Sequence, residues 1–78
     1  MKIINIKLSS IEDIRTLVDS VTLCPYDVEL SSGSYTIDAK SIMGIFGLDL
    51  SKSITMTAFT DDCSELLERI GDFVLSQE

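Results

Sequence analysis

The chain has 78 residues, of which 45% are hydrophobic, and a formal net charge of −7. This length predicts one domain spanning residues 1–78, and no apolar run is long enough to cross a membrane. The negative charge excludes nucleic acids and anionic membranes as expected partners, because their phosphates would be repelled. Met1 and Lys2 lead directly into a strand pattern instead of a leader sequence, which favours a cytoplasmic protein.

The first third of the chain predicts a strand followed by a helix. Apolar and polar residues alternate over 4–8, as in a half-buried strand. Ser9 and Glu12 then stand at the spacing of a capping box, and the helix is expected to end near Leu23. Its apolar positions recur at helical spacing: Ile11, Ile14, Leu17, Val18 and Val21.

A hairpin is predicted next. Residues 27–30 form a second strand, residues 31–34 have the composition of a turn, and residues 35–38 form a third strand. The hairpin leads into a short helix with Ser41 as its expected N-cap. Gly47 is expected to end this helix in a left-handed conformation.

The helix after Ser41 has about a turn and a half, which is too short to be stable without packing. Its apolar residues point all around its axis, so some of them should remain outside. Ile45 and Leu48 are the better core candidates. The better exposed candidates form a patch, called here the apolar patch: Ile42, Met43 and Phe46. If these three side chains are exposed, they could form a docking surface for a protein partner. The alternative is that they pack in the core.

The last third predicts a fourth strand over 54–58 and a final helix that begins at residues 60–62. The buried side of that helix is expected to carry Cys63, Leu66, Leu67, Ile70, Phe73 and Val74. The element order is therefore β-α-β-β-α-β-α, an α+β fold with three helices on one face of a four-stranded antiparallel sheet. The opposite, solvated face is expected to carry Asn5, Lys7, Glu29, Thr55 and Thr57.

The cysteine and histidine content of the chain predicts that it has no metal centre. Two cysteines, Cys24 and Cys63, are too few for a disulfide framework and are expected to be reduced thiols, buried or half-buried. The chain contains no histidine, so we expect neither a zinc site nor a cofactor.

The run KSIMGIFGL at 40–48, preceded by YTIDA at 35–39, resembles the regulatory-serine helix of the HPr family. HPr is the small phosphocarrier of the bacterial sugar phosphotransferase system, and Crh is an HPr-like regulator that lacks the carrier histidine. The resemblance extends over essentially the whole chain and implies an open-faced β-sandwich. It also implies that Ser41 is phosphorylated by a dedicated kinase and that the apolar patch, with Lys40 beside it, docks protein partners.

The chain departs from the family at the carrier motif, Gly-Ile/Leu-His-Ala-Arg-Pro-Ala. Alignment from Ser41 without gaps places Ser10 at the histidine, Glu12 at the arginine and Asp13 at the proline. A serine phosphate is a stable ester, unlike the reactive phosphoramidate of phosphohistidine, and two carboxylates would repel phosphate. These changes exclude a carrier role. A capped helix start, with acidic residues at the positive end of the helix dipole, accounts for residues 9–13.

Two functions fit the sequence. The first is a regulatory or binding module that docks a regulator or kinase of the HPr/Crh type through the Ser41 helix. The second is a structural role, such as a homo-oligomer formed through the apolar patch. Ser41 could equally be a plain N-cap without any kinase. No pair of nucleophile and base suggests an enzyme.

Overall fold

The computed structural model describes the backbone of residues 1–77 and the side chains of residues 1–75. Five strands and three α-helices follow one another, with a short 3₁₀ turn at Gly71–Phe73 before the last strand. The elements are β1 (Lys2–Ile6), α1 (Ile11–Thr22), β2 (Val28–Ser32), β3 (Tyr35–Asp38), α2 (Ile42–Phe46), β4 (Ile54–Ala58), α3 (Ser64–Ile70) and β5 (Val74–Gln77).

The strands form one antiparallel sheet in the order β3-β2-β4-β1-β5. Strands β1 and β4 lie at its centre, with Ile4 opposite Met56 and Ile6 opposite Ile54. Successive side chains of a strand point to opposite faces, and the residues on one face of these two strands are fully buried: Ile4, Ile6, Ile54, Met56 and Ala58. The same buried cluster includes Leu17 of α1, Ile45 of α2 and Leu66 of α3. The predicted α+β architecture, with its helices on one face of an open antiparallel sheet, is confirmed.

The other face of the sheet is polar. Asn5 lies opposite Thr55, and Glu29 lies opposite Thr57. None of these four side chains is buried, as predicted. Lys7 was predicted on this polar face, but it lies after the end of β1. Its ammonium group donates to the carbonyl oxygen of Leu50 at 2.7 Å.

The sheet has five strands instead of the predicted four. The last helix begins at Ser64, later than expected, and ends at Ile70. Phe73 and Val74, which we expected on this helix, belong to the 3₁₀ turn and to β5. Strand β5 pairs with β1, and the Phe73 carbonyl accepts the Lys7 N–H at 2.9 Å. The extra strand satisfies backbone groups that β1 would otherwise expose at a sheet edge.

The hairpin differs from its prediction by a short extension of β2. Ser31 and Ser32 continue this strand, and the turn is reduced to Gly33 and Ser34. Gly33 has φ 60°, a left-handed conformation that glycine adopts without steric cost. No helix within residues 1–77 is long and apolar enough to cross a bilayer.

Candidate functional site

The chain enters α2 through a turn held by Asp38. Its carboxylate accepts the Lys40 N–H at 2.9 Å, and its carbonyl accepts the Ser41 N–H at 3.0 Å. Ser41 then caps the helix, since its Oγ accepts the Gly44 N–H at 3.2 Å. The predicted N-cap is confirmed. The Ser41 side chain is exposed, so its hydroxyl can be reached from solvent.

Helix α2 has only five residues and is held against the body of the protein by its buried side. Ile45 is fully buried and Leu48 is 7% exposed, as predicted. Gly44 allows the close approach: a Cβ at this position would lie 3.1 Å from Ser41 Oγ and 3.2 Å from Cδ1 of Ile37 on β3. A larger residue would therefore press on both the core and the capping serine.

The conformation predicted for Gly47 is wrong. It has φ −82°, in the right-handed region, and its N–H bonds to the Gly44 carbonyl at 3.0 Å. The chain continues the helical turning through this residue, because the Leu48 N–H also bonds to Ile45 at 3.0 Å. Gly47 is close to its neighbours instead: a Cβ there would lie 3.3 Å from the Gly44 carbonyl oxygen.

The apolar patch lies on the outer side of α2. Met43 is 77% exposed and Phe46 is 47% exposed. Lys40 is exposed beside them, whereas Ile42 is half-buried and packs against the core. Ile42 is therefore less available to a partner than expected. Two large apolar side chains, Met43 and Phe46, therefore expose apolar surface one helical turn apart.

The start of α1 differs from its prediction by one residue. Ser10, and not Ser9, is the N-cap: its Oγ accepts the Asp13 N–H at 3.1 Å. In return, the Asp13 carboxylate accepts the Ser9 N–H at 2.9 Å. The predicted pairing of Ser9 with Glu12 is wrong: the pairing of Ser10 with Asp13, which has the same three-residue spacing, is formed instead. Ser10 and Asp13 are thus engaged with each other, and Glu12 is exposed beside them.

A groove between α1 and α2, called here the α1–α2 groove, brings Ser10 and Phe46 to one place. Its volume is about 400 Å³. Ile11, one of the apolar positions at helical spacing in α1, is 63% exposed and lines this groove. Ser41, Lys40 and Met43 do not line it. The complete lining is Lys7, Leu8, Ser9, Ser10, Ile11, Ile14, Phe46 and Leu50.

Comparison with known proteins gives matches among solved structures. The crystal structure of HPr-C-His from Thermoanaerobacter tengcongensis matches at a TM-score of 0.74 and 23% identity, covering 92% of this chain and 89% of that one. The phosphocarrier protein HPr from Bacillus anthracis str. Ames matches at a TM-score of 0.69 and 24% identity, covering 96% of each chain. The chain has the HPr fold. Its sequence matches no protein-family model and no curated protein.

The HPr fold confirms the resemblance drawn from residues 35–48 as far as architecture is concerned. At these identities the similarity concerns the fold, and function depends on the residues of the site. Phosphorylation of Ser41 and docking through Lys40, Ile42, Met43 and Phe46 stay predictions. Sequence reasoning missed Lys7, Ile11 and Leu50 as parts of one groove. The position of Ile11 in the first turn of α1 was the one feature of the sequence that could have indicated this groove.

A second cavity of this HPr-like chain lies between the end of α1 and the start of α3. Its volume is about 330 Å³, and Cys24 and Tyr26 are among its lining residues. Burial, followed by a hydrogen bond with Cys24, raises the pKa of the Tyr26 phenol. Both cysteines are free thiols: Cys24 is half-buried and Cys63 is buried, as expected. Burial also raises the pKa of the Cys63 thiol.

Among the side chains of residues 1–75, no group of three or more acidic or cysteine residues is arranged to hold a metal ion. Two exposed carboxyl groups have lowered pKa values because they accept hydrogen bonds. For Asp49 the donors are the hydroxyl and the N–H of Ser51. For Asp62 the first donor is the Ser64 N–H, at 3.0 Å.

Proposed function

We propose that this HPr-like protein is a regulatory or binding module of the bacterial cytoplasm that docks a protein partner through α2. The observation that carries the proposal is the exposure of Met43 and Phe46 on a helix whose other side is fixed by the buried Ile45. A rigid element that presents large apolar side chains is the usual form of a protein contact site. By its resemblance to HPr and Crh, the partner would be a regulator or kinase.

The proposal excludes a phosphocarrier role and enzymatic activity. The chain has no histidine to carry a labile phosphoryl group. Ser10 stands at that position, and its Oγ accepts a hydrogen bond from the Asp13 N–H. Glu12 and Asp13 place two carboxylates where a phosphate would have to bind, which is unfavourable by Coulomb repulsion. We therefore propose that neither a cofactor nor a metal ion takes part in the function.

Ser41 is the proposed regulatory switch. Its hydroxyl is exposed, and a phosphate there would lie next to N–H groups of the first helical turn, which favour negative charge. The helix should stay intact while about two negative charges are added beside Met43. Phosphorylation would then change partner binding by charge, without unfolding the site. The alternative remains that Ser41 acts only as an N-cap.

The docking proposal is tested in lysate of the native host. Tagged parent protein and the double variant Met43→Asp/Phe46→Asp are compared by quantitative mass spectrometry of captured proteins. Tyr35→Asp is the matched control, because Tyr35 is 67% exposed but lies on β3. We expect one or a few proteins that bind the parent and the control but not the double variant. Equal capture by all three proteins would contradict docking through α2.

The switch is tested by intact-mass spectrometry of protein isolated from host cells grown with rich and poor carbon supply. A mass increase of one phosphate that disappears in Ser41→Ala supports the switch. Absence of this form in both conditions, with a competent kinase present, favours the plain N-cap. Incubation with phosphoenolpyruvate and the general phosphotransferase enzyme should give no acid-labile phosphate, and stoichiometric labelling would overturn the exclusion of a carrier role.

Self-association through the apolar patch is the second candidate, favoured by the same exposed side chains. Sedimentation velocity across a concentration series distinguishes it from docking. A dimer that dissociates in the Met43→Asp/Phe46→Asp variant would support the structural role.

A further inference from the structure

We propose that the α1–α2 groove accepts a protein segment that carries an apolar side chain beside a carboxylate, and that the Lys7 ammonium binds this carboxylate. The inference rests on the proposed docking function, and it names the chemistry of the partner. Lys7 would then be the residue that determines specificity, while the apolar side chains of the groove supply contact area.

The walls of the groove favour an apolar side chain. Leu8 and Ile14 are each 2% exposed and contribute to the buried core beneath it, whereas Ile11 is 63% and Phe46 47% exposed at its two sides. An aromatic or branched aliphatic side chain placed here would cover both exposed residues at once. Covering apolar surface stabilises a complex by about 25 cal/mol per Å² before the costs of association.

Lys7 is the only charged residue among those that line the groove. An ammonium group has three hydrogen-bond donors, and here one of them bonds to the Leu50 carbonyl at 2.7 Å. That bond fixes the side chain, which is half-buried, and leaves donors for a ligand. A hydrogen bond between an ammonium and a carboxylate is stronger than one between neutral groups. The groove therefore combines apolar walls with one cation, which suits an acidic and apolar segment.

The carboxylates around the groove do not occupy Lys7. The Asp13 carboxylate accepts the Ser9 N–H, and the Asp49 carboxylate accepts both donors of Ser51. Asp49 is nonetheless close enough for the two charges to interact, and Glu12 is exposed on the first turn of α1. These groups weaken the attraction of Lys7 for an anion.

The test uses a random dodecapeptide library displayed on phage, selected on immobilised full-length protein at about 0.15 M salt. Peptides whose capture requires Phe46, judged with Phe46→Asp, are synthesised with Glu, Gln or Lys at each acidic position. Fluorescence anisotropy then measures their affinity for the parent, Lys7→Met, Lys7→Arg and Lys2→Met. Lys2→Met removes the same charge at an exposed position outside the groove.

We expect enriched peptides to pair Phe, Leu or Ile with a neighbouring Asp or Glu. Replacing that acid by Gln should weaken the binding of the peptide to the parent protein about tenfold. The same loss is expected with Lys7→Arg and with Lys2→Met, which keep a cation at position 7. With Lys7→Met the replacement should have little effect, because the cation is absent. The result on the parent decides the ligand chemistry even if Lys7→Met fails to fold.

Enrichment of basic or uncharged peptides on the groove would overturn the inference while leaving docking intact. The inference would also be overturned if replacing the acid by Gln reduced the peptide affinity equally for the parent and for Lys7→Met. Failure to enrich any peptide that depends on Phe46, together with a Phe46-dependent dimer in sedimentation velocity, would assign the groove to a second copy of the chain. The proposed function is decided separately by capture from host lysate.

Discussion

Met43 and Phe46 lie on the outer side of α2, while Leu17 is fully buried in α1. Met43→Asp should change the free energy of unfolding by no more than about 0.5 kcal/mol, because the new charge stays in water. Phe46→Asp should cost about 1 kcal/mol, since part of its ring is buried. Leu17→Asp should prevent folding: burying an unpaired charge costs several kcal/mol, and a domain of this size has only about 4–8 kcal/mol in total.

Thermal and urea unfolding followed by circular dichroism measure these effects. Loss of the folded state in either patch variant would show that the residue belongs to the core, and its proposed docking role would have to be abandoned.

Asp49 predicts a stability difference that depends on pH. Hydrogen bonds from Ser51 lower its pKa below the ordinary value of 3.8 in the folded state. A carboxyl group with a lowered folded pKa stabilises the protein above its unfolded pKa, and this contribution is lost as pH falls through the folded pKa. Asp49→Asn should therefore be less stable than the parent at pH 7, and the difference should shrink below pH 3.8.

Urea titrations across this pH range test the prediction. Asp19→Asn is the matched control, because Asp19 is exposed and no hydrogen bond of its carboxylate is described. A constant difference between Asp49→Asn and the parent at every pH would contradict the assigned hydrogen bonds.

Local chemistry made Ser41 predictable, since a polar residue before an apolar run identifies an N-cap without knowledge of the fold. The start of α1 was predicted one residue early, because Ser9 and Ser10 are equally good caps and the acids at 12 and 13 fit either of them. The α1–α2 groove could not be predicted. It depends on Lys7 reaching a carbonyl 43 positions later in the chain.

Strand β5 shows why the end of the chain was misjudged at the scale of elements. Ile70, Phe73 and Val74 recur at three- and four-residue spacing, which is also the period of a helix. The decisive factor is the free edge of β1, which pairs with β5 through Ile6 and Val74. Sequence period alone carries no information on which strand edge is unpaired.

Phe73 and Leu75 lie on either side of the start of β5 and should respond differently to the same change. Phe73 is 7% exposed, whereas Leu75 is 59% exposed. Phe73→Ala should cost about 3–5 kcal/mol, a large part of the stability of so small a domain. Leu75→Ala should cost no more than about 0.5 kcal/mol. Urea unfolding of both variants measures this, and equal costs would argue against the assigned strand.

The order of most elements and the one-sided sheet could be predicted for the whole molecule, because β1 and β4 alternate in period two and α1 is amphipathic over its length. The likeness of residues 35–48 to the HPr family placed these elements in an open-faced sandwich, and the HPr structures confirm it.

Ion pairing between side chains could not be predicted from the sequence, because it depends on their three-dimensional placement. In the described part of the chain one ion pair occurs, between the Met1 amine and Asp61 at 3.9 Å, and both groups are exposed.

This charge distribution predicts that sodium chloride stabilises the fold. Glu65 and Glu68 lie one turn apart on α3, where like charges repel, and most other charges away from α2 are also acidic. Screening should raise the free energy of unfolding by about 0.5–1 kcal/mol between about 0.01 and 0.3 M salt. Glu68→Lys should be more stable at low salt and respond less to added salt, with Glu68→Gln intermediate. Urea titrations at both salt concentrations measure the slopes, and a parent that loses stability with salt would show that attractive pairs dominate its surface.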